Sequence, residues 1–148
     1  MLSISHALTG AFIATKIQQP LVYIPLAFSV HFFEDWIPHW DAGTGLGTGK
    51  RTRFQAFIYG SVDLAIAGVL ILLFWGFGDF TTLIHAMIGG FACLLPDFME
   101  APKVFLKIKI PGLKPLSHLH EKFHCSVPNI WIGLTPQLIL WGLIWWLR

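Results

Sequence analysis

Residues 54–75 read FQAFIYGSVDLAIAGVLILLFW, with Asp63 as the single charge near the middle. A crossing of the hydrocarbon layer needs about 20 predominantly apolar residues. The stretch therefore predicts a membrane-spanning helix. The rest of the chain agrees. Of 148 residues, 55% are hydrophobic and 12% charged, whereas soluble domains carry about 25% charged residues. These features predict one all-α domain over residues 1–148, a small polytopic membrane protein. It should hold about five apolar helices and a basic interfacial segment. The net charge of +2 is too small to suggest a nucleic-acid surface, and no basic face alternates with aromatics. No basic leader with a small-residue cleavage site opens the chain, so it is expected to enter the membrane by its own helices.

Outward from residues 54–75, helices are expected at 5–18, opened by Ser3 or Ser5, and at 21–37. Further helices are expected at 80–99, kinked at Pro96, and from about 128 to 147. Residues 41–49 are glycine-rich and suit a hinge or lid. They do not suit a phosphate loop, because no strand precedes them and Arg51 follows Lys50. Residues 101–117 hold Lys103, Lys107, Lys109 and Lys114 among apolar residues and prolines, which suits the membrane interface. Trp145, Trp146 and Arg148 suit an aromatic belt. Cys93 is expected to be a packing residue. A short echo links His6-Ala7-Leu8-Thr9-Gly10-Ala11-Phe12 with His85-Ala86-Met87-Ile88-Gly89-Gly90-Phe91, a pattern that an inverted repeat would leave.

The basic groups at 50–53 and 103–114 flank two antiparallel helices joined by a tight turn. Both then fall on one membrane side, which the positive-inside rule makes cytoplasmic. His31, Asp35, His39, Asp41, Asp97, Glu100, His118, His120 and His124 fall on that side too, with His6 joining them if the first helix starts there. Grouped imidazoles and carboxylates are metal ligands, and intramembrane ionisable residues are functional by default. His31 and Asp35, four residues apart, share one helix face. His120-Glu121-Lys122-Phe123-His124 spells H-E-x-x-H, in which the Glu acts as general base. Asp63 is too costly to leave buried and unpaired. It is expected as a ligand, an orienting partner, a protonated bridging group or a base. Glu100 is expected to be a solvated helix-end acid, and His85 a packing donor.

Three motifs carry a resemblance. They are His85-Ala86-Met87 with Leu94-Leu95-Pro96-Asp97-Phe98, then His120 to Ser126, and Val30-His31-Phe32-Phe33-Glu34-Asp35-Trp36-Ile37-Pro38. Together they resemble the bacterial family of LexA-regulated, membrane-bound metal-dependent hydrolases and, more distantly, zinc-dependent phospholipase C. The order differs, since the His-x-x-x-Asp element comes first here. Met99 also stands where that family has a second Asp. The resemblance implies a divalent metal centre of one or two ions, zinc or else manganese, with hydrolase activity.

The expected function is a metal-dependent hydrolase acting on a phosphoester of a phospholipid or lipid phosphate at the cytoplasmic face of the inner membrane. The expected ligands are His6, His31, Asp35, His39, Asp41, Asp97, His118, His120 and His124, with Glu121 or Asp63 as general base. The lysines of 103–114 would attract an anionic headgroup. Two alternatives stand beside it. One is an intramembrane metalloprotease working through His120, Glu121 and His124. The other is a non-enzymatic metal carrier or structural membrane protein.

Overall fold

The computed structural model describes every residue except Lys109. Six α-helices follow one another: α1 Ser3–Ile17, α2 Pro20–Trp36, α3 Arg53–Trp75, α4 Phe80–Leu106, α5 Lys114–Phe123 and α6 Ile130–Leu147. One 3-10 turn, Pro111–Leu113, precedes α5. Among the described residues there are no strands, only one bridge between His39 and Ser126.

Three helices, α3, α4 and α6, are long and apolar enough to cross a membrane. Their outer faces carry large apolar side chains, among them Val62, Val69 and Leu73 on α3 and Trp131, Ile139 and Trp146 on α6. The chain is thus all-helical with three candidate membrane spans among the described residues, and the two further apolar helices, α1 and α2, are not among these. At 15 and 17 residues, α1 and α2 are shorter than a typical crossing, and α1 is buried along most of its length. The basic segment also divides differently. Residues up to Leu106 continue α4 through Pro96 and Pro102. A proline inside a spanning helix is tolerated where neighbours take up the freed backbone groups. One turn of α4 near Pro96 is also bound from outside, since the Cys93 carbonyl accepts a hydrogen bond from His31 Nδ1 at 2.9 Å. Lys109 lies outside the described residues.

Local chemistry accounts for the helix starts. Thr52 and Gln55 form a reciprocal capping box on α3. Asp79 caps α4 through Thr82 N at 2.8 Å, and Asn129 caps α6. The start of α1 differs from expectation, because neither Ser3 nor Ser5 caps it. Instead the Asp63 carboxylate, from α3, accepts from the Ser3 and Ile4 amides at 2.5 and 3.3 Å. A carboxylate at a helix N-terminus meets both the free N–H groups and the positive end of the dipole.

The most extensive helix pairing is α1 with α4. Small residues make it possible. A Cβ on Gly10 would collide with the Gly89 carbonyl and stand 2.7 Å from Cys93 Cβ, and one on Gly89 would collide with Gly10. These glycines belong to the two echoing segments, which therefore pack on each other. Ala7, Leu8 and Ala11 form the core with Ala67, Ile71 and Ala86. His85 sits away from the polar groups, 3.2 Å from the Tyr23 hydroxyl.

Gly10→Leu should force α1 off α4 and cost at least about 1–3 kcal/mol, the usual range for overpacking. Gly142→Ala, at a position with no atom within 4 Å of a built Cβ, should melt like the wild type in the same detergent.

Candidate metal centre

The end of α2 carries the centre. Asp35 is fully buried and its two carboxylate oxygens face two different groups of imidazoles. On one side, Asp35 Oδ2 lies 3.3 Å from His31 Nε2 and 2.8 Å from His120 Nε2. Asp97 Oδ1 completes this group, 3.7 and 3.6 Å from the same two nitrogens. On the other side, Asp35 Oδ1 lies 3.7 Å from His39 Nε2. His39 Nε2 is in turn 3.3 Å from His124 Nε2, and Asp41 Oδ2 is 3.1 and 2.9 Å from these two rings. His6 adds a third imidazole against Asp35 Oδ1, at 3.2 Å. The Met1 amino group also reaches Asp35 and donates to His6 Nε2 at 3.0 Å.

Separations of this size suit metal ligation. Four donors held about 2.0–2.1 Å from one tetrahedral ion stand about 3.3 Å apart. The outer nitrogens strengthen the case. His31 Nδ1–H donates to the Cys93 carbonyl, and His39 Nδ1–H donates to the Ile37 carbonyl at 2.8 Å. Each neutral ring then presents Nε2 as an acceptor, facing further nitrogens and carboxylate oxygens. Acceptors facing acceptors need a proton or a cation between them. Ligating histidines are oriented in this way, by a partner on the far nitrogen. His6 follows the same pattern, with Nδ1 2.6 Å from Glu34 Oε2. Glu34 is buried and also accepts from Thr9 Oγ1 at 2.5 Å.

Ligands remote in sequence meet because the backbone stitches them. Cys125 N donates to the Asp35 carbonyl at 2.9 Å, His39 N to Cys125 O at 3.1 Å, and Val127 N to His39 O at 2.8 Å. These bonds hold the end of α5 along the 35–40 segment and set His124 against His39. From the other side, Trp40 N donates to Gly133 O at 3.2 Å. A Cβ on Gly133 would strike the Trp40 backbone, so this approach needs glycine. Gln137 ties three segments together. Its Oε1 accepts from Leu2 N and Ser5 Oγ, and its Nε2 donates to the Trp40 and Gly133 carbonyls. Arg51 donates to the Asp41 and Ala42 carbonyls at 3.1 and 2.6 Å and lies over the Trp40 and Tyr59 rings.

Charge balance outside the helices follows this geometry. Burial raises the Asp41 pKa, yet hydrogen bonding from His124, and from His39 when its ring carries a second proton, outweighs it and holds the carboxyl well below its usual range. Burial disfavours the charged His124 ring, and the hydrogen bond and charge of Asp41 raise its pKa overall.

Of the expected ligands, His31, Asp35, Asp97 and His120 form one group, and Asp35, His39 and His124 another. Asp41 joins the latter. His6 falls with Glu34 and Cys93. His118 is exposed on α5 and belongs to none of these groups. The two expected bases are engaged elsewhere. Asp63 caps α1. Glu121 is 64% exposed and pairs with Lys103 Nζ at 2.6 Å, a contact that lowers its pKa. The H-E-x-x-H arrangement does not form as the pattern implies. His120 and His124 turn to different groups because α5 ends at Phe123, and Glu121 turns away from both. Glu100, expected in solvent, is buried and bonds Ser117 and Lys103, fastening α5 to α4. Glu34, Gln137 and Gly133 were not expected as part of the centre. The available signal was polarity within apolar helices, which marks Glu34 and Gln137; Gly133 carried none.

No protein family, curated protein or solved structure matches this chain.

Glu34→Gln should keep the helix packing and weaken metal retention about 10–100-fold, the usual loss when an orienting partner is removed. Competition with a chromogenic chelator measures it, and Thr9→Val should show a smaller loss.

Proposed function

We propose that this chain is a membrane-embedded hydrolase that holds two divalent cations, zinc in the first instance, bridged by Asp35, and cleaves a phosphoester of a phospholipid or lipid phosphate. The observation that carries the reading is the division of the Asp35 carboxylate, one oxygen toward each histidine pair. His31, His120 and Asp97 would complete one ion's ligands, and His39, His124 and Asp41 the other's, with His6 Nε2 beside the Asp35 Oδ1 atom as a further donor. Such ions lower the pKa of bound water to about 7 and polarise a phosphoryl oxygen.

The chain's own residues would do the rest. Glu34 holds the His6 ring with Nε2 toward the centre. Arg51 fastens the 41–42 turn, and the glycine-rich loop walls the chamber beside the ligands. That chamber, ≈ 1120 Å³, is lined by Asp41, Asp97, His120 and His124 and by Lys50, Arg51 and Lys103. Lys103 is already paired with Glu100 and Glu121 and Arg51 with the 41–42 carbonyls, which leaves Lys50 as the better headgroup contact. Asp97 lies about 25 Å along α4 from Phe80 at 1.5 Å per residue. A hydrocarbon core is about 30 Å thick, so this depth favours headgroup chemistry over cleavage at the bilayer midplane. The positive-inside rule, applied to Lys50, Arg51, Arg53, Lys103 and Lys107 at the same end, supports a cytoplasmic face of the inner membrane. The motif resemblance implies the same class of chemistry. The protease reading gains nothing from a Glu121 that points away from both histidines.

Elemental analysis of detergent-purified protein should find about two zinc equivalents per chain. His120→Ala and His124→Ala should each lose one, and Asp35→Ala both. Phosphate release from phosphatidic acid in mixed micelles should fall at least about 100-fold in Asp35→Ala and stay within about two-fold in Glu121→Gln. Full metal content in Asp35→Ala, or loss of turnover in Glu121→Gln, would overturn the assignment.

A further inference from the structure

A second cavity, ≈ 270 Å³ and almost wholly apolar, lies between α3 and α4. It shares Leu64, Leu94 and Phe98 with the chamber beside the candidate ligands, so the two adjoin. Gly68 and Leu72 line it from α3, Met87 and Phe91 from α4, and Ala7 forms part of its floor. From the level of Asp97 to that of Met87 the cleft runs about 15 Å along α4. Leu72, Met87 and Phe91 are each about half exposed on helices long and apolar enough to cross the bilayer. The mouth of the cleft therefore faces the space that lipid fills.

We propose that the cleft between α3 and α4 is a lateral lipid site, in which one hydrocarbon chain of a membrane lipid with an anionic headgroup lies against Leu64, Gly68, Met87 and Phe91 while its headgroup enters the chamber from the bilayer side. Two observations select this occupant. The cleft wall offers almost no polar group, so a peptide backbone lying in it would go unsatisfied, whereas a hydrocarbon chain has nothing to satisfy. The cleft adjoins the chamber, where Lys50 and Arg51 line the wall and supply positive charge for an anionic headgroup. The proposal rests on the hydrolase reading only for the fate of the headgroup. Occupancy of the cleft needs no turnover.

The test uses the full chain in phosphatidylcholine vesicles containing phosphatidic acid with a diazirine on one acyl chain. After irradiation, labelled residues are located by mass spectrometry. Labels are expected to concentrate between Leu64 and Leu72 and between Met87 and Leu94, and to persist after the metal is stripped. Gly68→Trp fills the cleft from a position where a built Cβ meets nothing within 4 Å. It should cut that labelling at least five-fold with metal content and melting temperature unchanged. Met87→Trp, from the opposite wall, should do the same. Gly68→Trp should also lower kcat/KM for long-chain phosphatidic acid at least ten-fold while sparing a short-chain, water-soluble phosphoester. Labels spread evenly over the outer faces of α3 and α6, unchanged in both variants, would overturn the lipid site and leave the hydrolase reading standing. Focused labels blocked by tryptophan, with no phosphate release from either substrate, would uphold the site and overturn the hydrolase.

Discussion

A single buried carboxylate organises this molecule. Asp35 stands without solvent at the end of α2, and a lone charge there would cost several kcal/mol. The Met1 ammonium pairs with it directly, and imidazoles gather around it from almost every segment. His31 comes from the same helix face, His39 from the turn beyond it, His120 and His124 from α5 and its end, and His6 from α1. The Asp35 backbone takes part as well, because its carbonyl receives Cys125 N and so pins the end of α5. The polar cluster and the tertiary fold are thus one network, and loosening either loosens the other.

The second constraint is bilayer thickness. Two of the helices are too short for a comfortable crossing, and α1 is held inside by glycine contacts with α4 and by the Asp63 cap. That arrangement sets the start of α1, and with it His6, at the level of the ligands. It also leaves an apolar cleft between α3 and α4 that adjoins the chamber. A polar cluster and an apolar cleft lie side by side in one small chain because the long helices supply the apolar walls while loops and helix ends supply the charges.

Much of this was legible in the sequence, though unevenly. The long apolar helices and the tight turn between α3 and α4 follow from composition and periodicity, and so does the gathering of histidines and acids at one end. Pro96 reads as a kink and residue 99 as the helix end, yet α4 continues through Pro96 and Pro102 to Leu106. Glu121 and Glu100 exchanged their expected environments. A helix-end acid is ordinarily solvated, but the docking of α5 on α4 buries Glu100 with Ser117 and leaves Glu121 outside with Lys103. Asp63, for which a bridging role between helices was one of the expectations, joins α3 to the first turn of α1.

The sequence by itself determined the solvent this protein folds in and the kinds of atoms available for chemistry, since hydropathy and residue type are properties of the chain at each position. It also determined that His31 and Asp35 share a face, because an α-helix repeats every 3.6 residues. Only the tertiary structure decided how the ligands divide between the two oxygens of one aspartate. That division depends on contacts across long stretches of chain, from His39 to Cys125, Trp40 to Gly133 and Gln137 to Ser5. Such contacts are set by packing and by the need to pair buried backbone groups, which no local pattern records.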